Sequence, residues 1–138
     1  MKHDLVHRYA ARVDDRDFAG VAALFVPEGV LVAPDPPAVL DPVIEHVGRA
    51  AIEESMQALN GVVRTFHAIV GEVYEGHLGR IACVAHHALD ETTDLVWHLR
   101  YLDTYADTSD GWLIARRELH IDLIEVRPLK RVRRSPPA

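Results

Sequence analysis

The sequence predicts an α+β fold in which helices come first and a curved antiparallel sheet follows. Residues 3–25 carry apolar side chains at spacings of three and four, which is typical of amphipathic helices. From residue 62 onward the pattern changes to four long segments that are rich in β-branched and aromatic residues. Short turn signals separate these segments, and short connections favour antiparallel neighbours. Helices that cover one face of such a sheet leave room for a pocket between the two layers.

The N-terminal segment is predicted to form two helices. Val6, Ala10 and Val13 lie on one face of the first helix, because they follow one another at helical spacing. Asp17 is a suitable N-cap for the second helix, since its carboxylate can accept hydrogen bonds from the free amides of the first turn. A third helix is expected over residues 49–60, which end in an Asn-Gly stop signal.

Most of the remaining chain is predicted to form strands. Proline and glycine residues between positions 27 and 42 indicate turns and an irregular loop, with short strands beside it. Longer strands follow the third helix. The six strands are expected at residues 29–33, 42–47, 62–75, 80–89, 94–107 and 112–126.

Length and composition predict one globular domain over residues 1–128. The chain has 138 residues, and its hydrophobic share of 49% is sufficient for one sizeable core. Residues 129–138 are predicted to form a flexible basic tail, because terminal segments of this composition are usually disordered unless they are docked.

Net charge, the length of apolar runs and cysteine content argue against nucleic-acid and membrane partners and indicate the cellular location. The formal net charge of -6 disfavours nucleic acid as the main partner. No run approaches the ~20 apolar residues of a membrane span, and the N-terminus has no apolar signal segment, so no membrane partner is expected. Cys83 is the single cysteine, so no intrachain disulfide can form, and a reducing cytoplasm is the expected location.

Motifs for several kinds of chemistry are missing from the sequence. It contains no Gly-x-Ser-x-Gly, no glycine-rich phosphate loop and no Cys-x-x-Cys. Acyl transfer by a nucleophile elbow, nucleotide binding and thiol redox chemistry therefore lack support. Two histidines and a carboxylate could in principle assemble around a metal ion, but no local spacing favours it. We expect neither a metal nor a cofactor.

Two polar residues fall on faces that otherwise bury apolar side chains. Asp14 follows Ala10 by four residues, which puts its carboxylate on the apolar face of the first helix. His67 shares a strand face with Thr65 and Ile69. An imidazole oriented by an aspartate can move protons near neutral pH. A structural hydrogen bond at the helix end and a satisfied core histidine are the alternatives, and spacing alone does not pair the two residues.

Candidates for substrate binding lie on the later strands. His86 and His87 are neighbours, so they point to opposite faces of their strand, and the sequence does not say which one faces inward. Tyr101 alternates with apolar residues, so its hydroxyl could reach a ligand or cap the core. His120 on the last strand is a further candidate, whereas a surface pair of arginine and aspartate explains most of its charged neighbours.

Similarity to a known family is carried by five stretches: RYAARVDDRDFAGVAALFVPEGVLV, GRAAIEESM, RTFHAIVG, CVAHHAL and RYLDTYADTSDGWLIARREL. Together they resemble the SnoaL-like proteins of the nuclear-transport-factor-2-like superfamily, which includes scytalone dehydratase and polyketide cyclases. The resemblance implies a cone in which a strongly curved sheet wraps around three helices and encloses a deep pocket. It also implies a catalytic pair at Asp14 and His67, and a homodimer formed through the outer faces of the sheets. Where the dehydratase carries tyrosines, this sequence has Val13 and Ala33, so the same dehydration is not expected.

The resemblance and the candidate residues lead to one functional hypothesis. We expect a cofactor-independent acid-base enzyme, a dehydratase, isomerase or cyclase. Its substrate would be a small, largely apolar hydroxylated or carbonyl compound, such as a polyketide or steroid-like metabolite. His67 would be the general base or acid and Asp14 would orient it, while Tyr101 with His86 or His87 would polarise an oxygen.

Two alternative functions stay open at the level of sequence. One is a non-catalytic ligand-binding or subunit-assembly module of the same fold. The other is an epoxide hydrolase, which in this fold relies on an Asp-Arg-Asp arrangement that the sequence does not reveal. A cavity of ~300 Å³ or more with converging polar groups would favour an enzyme or ligand carrier. A core filled by Phe66, Trp97 and Trp112 would favour subunit assembly.

Overall fold

The computed structural model describes residues 2–136, and the side chains of residues 4–136. The helices, in chain order, are α1 (Lys2–Asp14), α2 (Phe18–Ala22) and α3 (Arg49–Ser55), and a 3-10 helix (Met56–Gly61) follows α3. The strands are β1 (Phe25–Asp35), β2 (Val39–Val47), β3 (Arg64–Glu75), β4 (Leu78–Ala88), β5 (Thr93–Thr108) and β6 (Gly111–Pro128). This combination of elements confirms the predicted α+β class.

The six strands form one curved sheet in the order β2-β1-β6-β5-β4-β3. Strands β3 to β6 pair antiparallel through short turns, as predicted. β1 and β6 instead pair in parallel, with Val30 opposite Arg116. No hairpin joins these two strands, so no tight turn forces them to run in opposite directions. The sheet is therefore mostly, rather than wholly, antiparallel.

Two regions of the chain differ clearly from the prediction, beyond small shifts at the ends of strands. The proline-rich region forms a hairpin rather than an irregular loop, because β1 continues to Asp35 and β2 begins at Val39. The β1–β2 register shifts between Ala33 and Asp35, and such a bulge can accommodate Pro34, which has no N–H for the ladder. The predicted third helix changes from α to 3-10 geometry after Ser55. None of the helices within residues 2–136 is long and apolar enough to cross a membrane.

The core lies between the helices and the concave face of the sheet. Val6, Tyr9 and Val13 of α1 are all buried, and they belong to the same apolar cluster as Ile81 and Tyr101 of the sheet. Burying one large apolar side chain contributes about 1.5–3 kcal/mol. Packing of this face, more than helix propensity, therefore holds α1 in place. The arrangement is the predicted cone, with the sheet wrapped around three helices.

A charged pair lies inside this core. Arg117 and Asp103 are directly opposite each other on β6 and β5, and both side chains are fully buried. Arg117 donates from Nε and Nη2 to the two carboxylate oxygens of Asp103, at 2.8 and 2.7 Å. The Tyr105 hydroxyl also donates to Asp103, at 2.6 Å. Arg117 is thus an exception to the surface pairing expected for most charged residues near His120, because its partner lies on the neighbouring strand and both face inward.

The C-terminal segment contacts the residues that precede β5 and β3. Residues 129–136 contain no helix or strand. The Leu129 N–H donates to the Thr92 carbonyl, and the Ser135 N–H donates to the Val63 carbonyl, both at 2.8 Å. These contacts hold the described part of the segment against the sheet, and its flexibility stays a prediction.

Candidate functional site

Asp14 and His67 meet where α1 ends beside β3. Asp14 Oδ1 lies 2.8 Å from His67 Nδ1, and Asp14 Oδ2 accepts a 2.9 Å hydrogen bond from the His67 backbone N–H. The Thr65 hydroxyl donates to Asp14 Oδ1 at 3.0 Å. The His67 side chain is 8% exposed and the Asp14 side chain 14%. An ionised carboxylate can only accept a hydrogen bond, so His67 carries a proton on Nδ1. Nε2 is the ring nitrogen that Asp14 does not contact.

The local sequence explains how this pair is held. Thr65 and His67 are two residues apart on β3, so both side chains point to the same face, towards Asp14 at the end of α1. Arg16 then turns the chain with a φ of 61°, and its Nη2 donates to the Val62 carbonyl at 2.7 Å. This bond ties the chain after α1 to the residues that lead into β3.

His67 lies in the wall of a cavity of about 230 Å³ between the helices and the sheet. The wall is mostly apolar, with a few polar groups, as is usual for small-molecule sites. The cavity is smaller than the ~300 Å³ that would favour an enzyme or ligand carrier. Phe66 does not fill it, since that side chain is 54% exposed, and Trp112 lines a different cleft. The cavity wall consists of Tyr9, Val13, Leu31, Pro34, Ser55, Met56, Ala58, Leu59, His67, His87, Trp97, Tyr101 and Leu119.

His87 is the second imidazole of the cavity. Its ring centre lies 6.1 Å from that of His67 and 4.3 Å from that of Trp97. Its Nδ1 lies 3.1 Å from the Leu95 carbonyl oxygen, which can only accept, so Nδ1 carries the proton and Nε2 is an acceptor. Burial lowers the pKa of His87 to about 4, and the nearby His67 acts in the same direction. His87 is therefore neutral at pH 7.

Tyr101 lies in the cavity wall and is 1% exposed. The guanidinium carbon of Arg117 lies 3.9 Å from the centre of the Tyr101 ring and 4.2 Å from that of Tyr9. Such cation–π contacts fix both rings. Burial raises the pKa of Tyr101 well above its usual range, so the phenol keeps its proton and can donate it in a hydrogen bond.

His86 and His120 lie on the other face of the sheet. His86 Nδ1 lies 2.7 Å from Asp94 Oδ2, and His120 Nε2 lies 3.4 Å from Glu118 Oε1. Neither histidine lines the cavity. The structure therefore does not bring these two predicted binding residues to the site, because each alternates along its strand with an inward-facing neighbour.

Several residues of the cavity wall were not singled out in the sequence as binding residues. Ser55, Met56 and Leu59 come from the end of α3 and the 3-10 helix. Met56 and Leu59 follow Ile52 by four and seven residues, and this helical spacing is the signal that could have identified them. Trp97 packs on His87 rather than only filling the core. Within the described side chains, no group of three or more histidines, cysteines and carboxylates could hold a metal ion.

Comparison with known proteins gives one family match and many similar structures. The family model described as SnoaL-like domain matches residues 3–118. A candidate scytalone dehydratase from Novosphingobium aromaticivorans DSM 12444 is 20% identical, with 98% of this chain and 89% of that chain covered and a TM-score of 0.76. A candidate aromatic ring hydroxylase from Novosphingobium aromaticivorans is 20% identical, with coverages of 91% and 89% and a TM-score of 0.75. ActVI-ORFA from Streptomyces coelicolor is 19% identical, with coverages of 86% and 93% and a TM-score of 0.67. At these identities the structural likeness shows the shared fold. No curated protein matches the sequence significantly.

Proposed function

The chain belongs to the SnoaL-like domain family, and from this premise we propose that it is a cofactor-independent acid-base enzyme, a dehydratase, isomerase or cyclase. The substrate would be a small, largely apolar compound with a hydroxyl or carbonyl group. The observation that carries the proposal is the 2.8 Å contact between Asp14 and His67 in the wall of an apolar cavity. An imidazole oriented by a buried carboxylate is suited to proton transfer.

In this mechanism His67 Nε2 removes a proton from the carbon next to a substrate carbonyl. The C–H electron pair moves into the carbon skeleton and negative charge develops on the carbonyl oxygen. Asp14 stabilises the imidazolium that forms, through the contact to Nδ1. The Tyr101 hydroxyl donates a hydrogen bond to the developing oxyanion. The protonated His67 then returns the proton to another carbon, which is isomerisation, or to a leaving hydroxyl, which is dehydration.

His87 would bind the substrate rather than exchange protons. With Nδ1–H bonded to the Leu95 carbonyl, its Nε2 can accept a hydrogen bond from a substrate hydroxyl. A pKa of about 4 keeps it neutral while His67 changes charge. This division favours a substrate that has a hydroxyl group as well as a carbonyl group.

The cavity volume favours a compact substrate. About 230 Å³ suits a molecule of one or two rings better than a four-ring steroid. An epoxide hydrolase has less support, because Arg117 is bonded to a single carboxylate, that of Asp103, and neither residue lines the cavity.

The proposal can be tested with 2-tetralone, a bicyclic ketone with acidic α-hydrogens. Exchange of these hydrogens for deuterium in D₂O is followed by ¹H NMR. We expect exchange above the buffer rate, and a loss of at least ~100-fold in Asp14→Asn and in His67→Gln, the usual scale of an acid-base contribution. Asp94→Asn is the matched control, since it removes the carboxylate of the other aspartate–histidine pair, on the outer face.

Circular dichroism must first show that the variants are folded. An Asp14→Asn variant with wild-type exchange would exclude the catalytic pair. Binding of 2-tetralone without exchange, detected by thermal shift, would favour the ligand-binding alternative.

We also propose that the protein is a homodimer that pairs through the outer face of the sheet. Val73, Leu78 and Leu102 are 61%, 56% and 36% exposed there, and they line a groove of about 480 Å³. Exposed apolar patches of this kind favour a protein partner. Arg80 and Glu75 line the same groove, so two copies related by a two-fold axis could place opposite charges against each other.

The cellular setting is a further part of the proposal. Cys83 is buried and unpaired, which suits a reducing cytoplasm. The net charge of -6 supports a small-molecule partner over nucleic acid.

A further inference from the structure

A second cleft lies at the opposite end of the sheet from the Asp14–His67 cavity. It has a volume of about 440 Å³ and lies between α1, the junction of α2 and β1, and the β5–β6 turn. Trp112 is part of its wall, whereas Trp97 is part of the first cavity. Trp112 is opposite Asp107 in the β5–β6 ladder, ten residues from Trp97, or about 33 Å measured along the strand. No described residue lines both sites, although Arg12 of the cleft and Val13 of the cavity wall are adjacent on α1.

Two arginines of this cleft are held in place by backbone carbonyls. Arg12 Nη1 donates to the Gly20 carbonyl at 2.7 Å. Arg49 donates from Nε and Nη2 to the Phe25 carbonyl, at 3.0 and 2.8 Å. A guanidinium has five N–H donors, so both side chains keep further donors in a fixed orientation. A backbone carbonyl oxygen accepts these hydrogen bonds but carries no full negative charge, so each arginine keeps its positive charge.

The charged residues of the cleft are positive on balance, whereas the whole protein is negative. Three arginines and two aspartates line it, although the formal net charge of the chain is -6. Asp4 pairs with Arg8 at 2.6 Å, and Asp110 is exposed in the β5–β6 turn. Among the described side chains, no carboxylate lies within ion-pair distance of Arg12 or Arg49. An anion approaching this acidic protein therefore meets a local positive site here.

We propose that this cleft binds a small-molecule anion, a phosphate or carboxylate attached to a flat ring. Arg12 and Arg49 would hold the anionic group, since guanidinium geometry matches both oxyanions. The rest of the wall is suited to the ring. It includes Leu24, Leu113 and the indole of Trp112, whose ring centre lies 5.1 Å from that of His77. Neither the SnoaL-like family match nor the proposed reaction requires this second site.

Trp97 lines the first cavity and Trp112 lines the cleft, so the NMR signal of each indole N–H reports binding at one site. We would label the protein with ¹⁵N, assign the two indole N–H signals with Trp97→Phe and Trp112→Phe, and titrate with phenyl phosphate, benzoate and phenol. At least one of the anions should move the Trp112 signal and leave the Trp97 signal unchanged. Phenol has the ring without the charge at neutral pH, so it should not move the Trp112 signal. Arg12→Gln and Arg49→Gln should each weaken anion binding about 10- to 100-fold, the scale of one charged hydrogen bond.

Arg127→Gln is the matched control, because it removes one positive charge near the end of β6, from a residue that lines neither the cleft nor the outer groove, and it should leave anion binding unchanged. The proposal is overturned if neither anion binds, if phenol moves the Trp112 signal as much as the anions do, or if both glutamine variants bind like wild type. Arg49 also holds the Phe25 carbonyl, so its substitution could unfold the chain. The comparison of anions with phenol in wild-type protein decides the question in that case.

Discussion

Burial lowers the pKa of His87 from 6.5 to about 4, and His67 contributes to the same shift. In the unfolded chain the pKa of this histidine should return to its usual value of about 6.5. Between these two values the unfolded chain binds a proton that the folded protein does not, so the free energy of unfolding falls as the pH falls. The slope is about 1.4 kcal/mol per pH unit, and the loss over the whole window is about 3 kcal/mol. Above pH 6.5 this contribution is constant, and below about pH 4 it levels off.

Urea unfolding of wild type and His87→Gln between about pH 7 and about pH 4 measures this contribution. Other groups titrate in both proteins, so the difference between the two curves reports His87 together with its coupling to His67. We expect wild type to lose about 3 kcal/mol more than the variant over this range. Parallel curves would mean that His87 is not a buried neutral imidazole, and its role as a fixed acceptor would then be wrong.

Three further predictions concern the core, the outer face and the cavity. Arg117→Met leaves the carboxylate of Asp103 buried and without its cation, so the free energy of unfolding in urea should fall by about 3–5 kcal/mol. Combining it with Asp103→Leu should recover most of this loss. An Arg117→Met variant as stable as wild type would contradict the prediction. Leu78→Glu puts a charge into the outer groove and should give a monomer of 15.4 kDa by light scattering, and a dimer that persists would exclude this interface. Tyr101→Phe should slow α-hydrogen exchange of 2-tetralone about 100-fold, as loss of an oxyanion donor does. Unchanged exchange would remove Tyr101 from the mechanism.

The sequence placed Asp14 and His67 on the correct faces of their elements. Helical spacing put Asp14 on the buried side of α1, and strand alternation put His67 beside Thr65. Their contact joins residues that are 53 positions apart, and no local pattern encodes such a separation. At the level of sequence the pairing was a spatial hypothesis that the family resemblance supported.

The choice between His86 and His87 could not be made from the sequence. Both faces of this strand carry apolar residues, so alternation gave two opposite directions without fixing which was inward. The strand register decides it, because His87 lies opposite Thr65 on β3 and Leu95 on β5.

The buried Arg117 was missed for a similar reason. It stands between Arg116 and Glu118, and a run of consecutive charged residues usually indicates exposure to solvent. Its partner Asp103 is 14 residues away and becomes its direct neighbour only through the β5–β6 register. A charge can be buried in a core when a well-placed partner and further hydrogen bonds compensate its desolvation, and a single sequence does not show that partner.

Protonation states narrow the choice of a proton-transferring group in the cavity. Four titratable side chains line the wall in the described chain: Tyr9, His67, His87 and Tyr101. Burial raises the pKa of Tyr9 to about 12 and that of Tyr101 above its usual range, so both phenols stay protonated at neutral pH. Burial keeps His87 neutral at the same pH. His67 is the remaining titratable residue of the wall, and its ring nitrogen is held by the carboxylate of Asp14, which is why we propose it as the proton-transferring group.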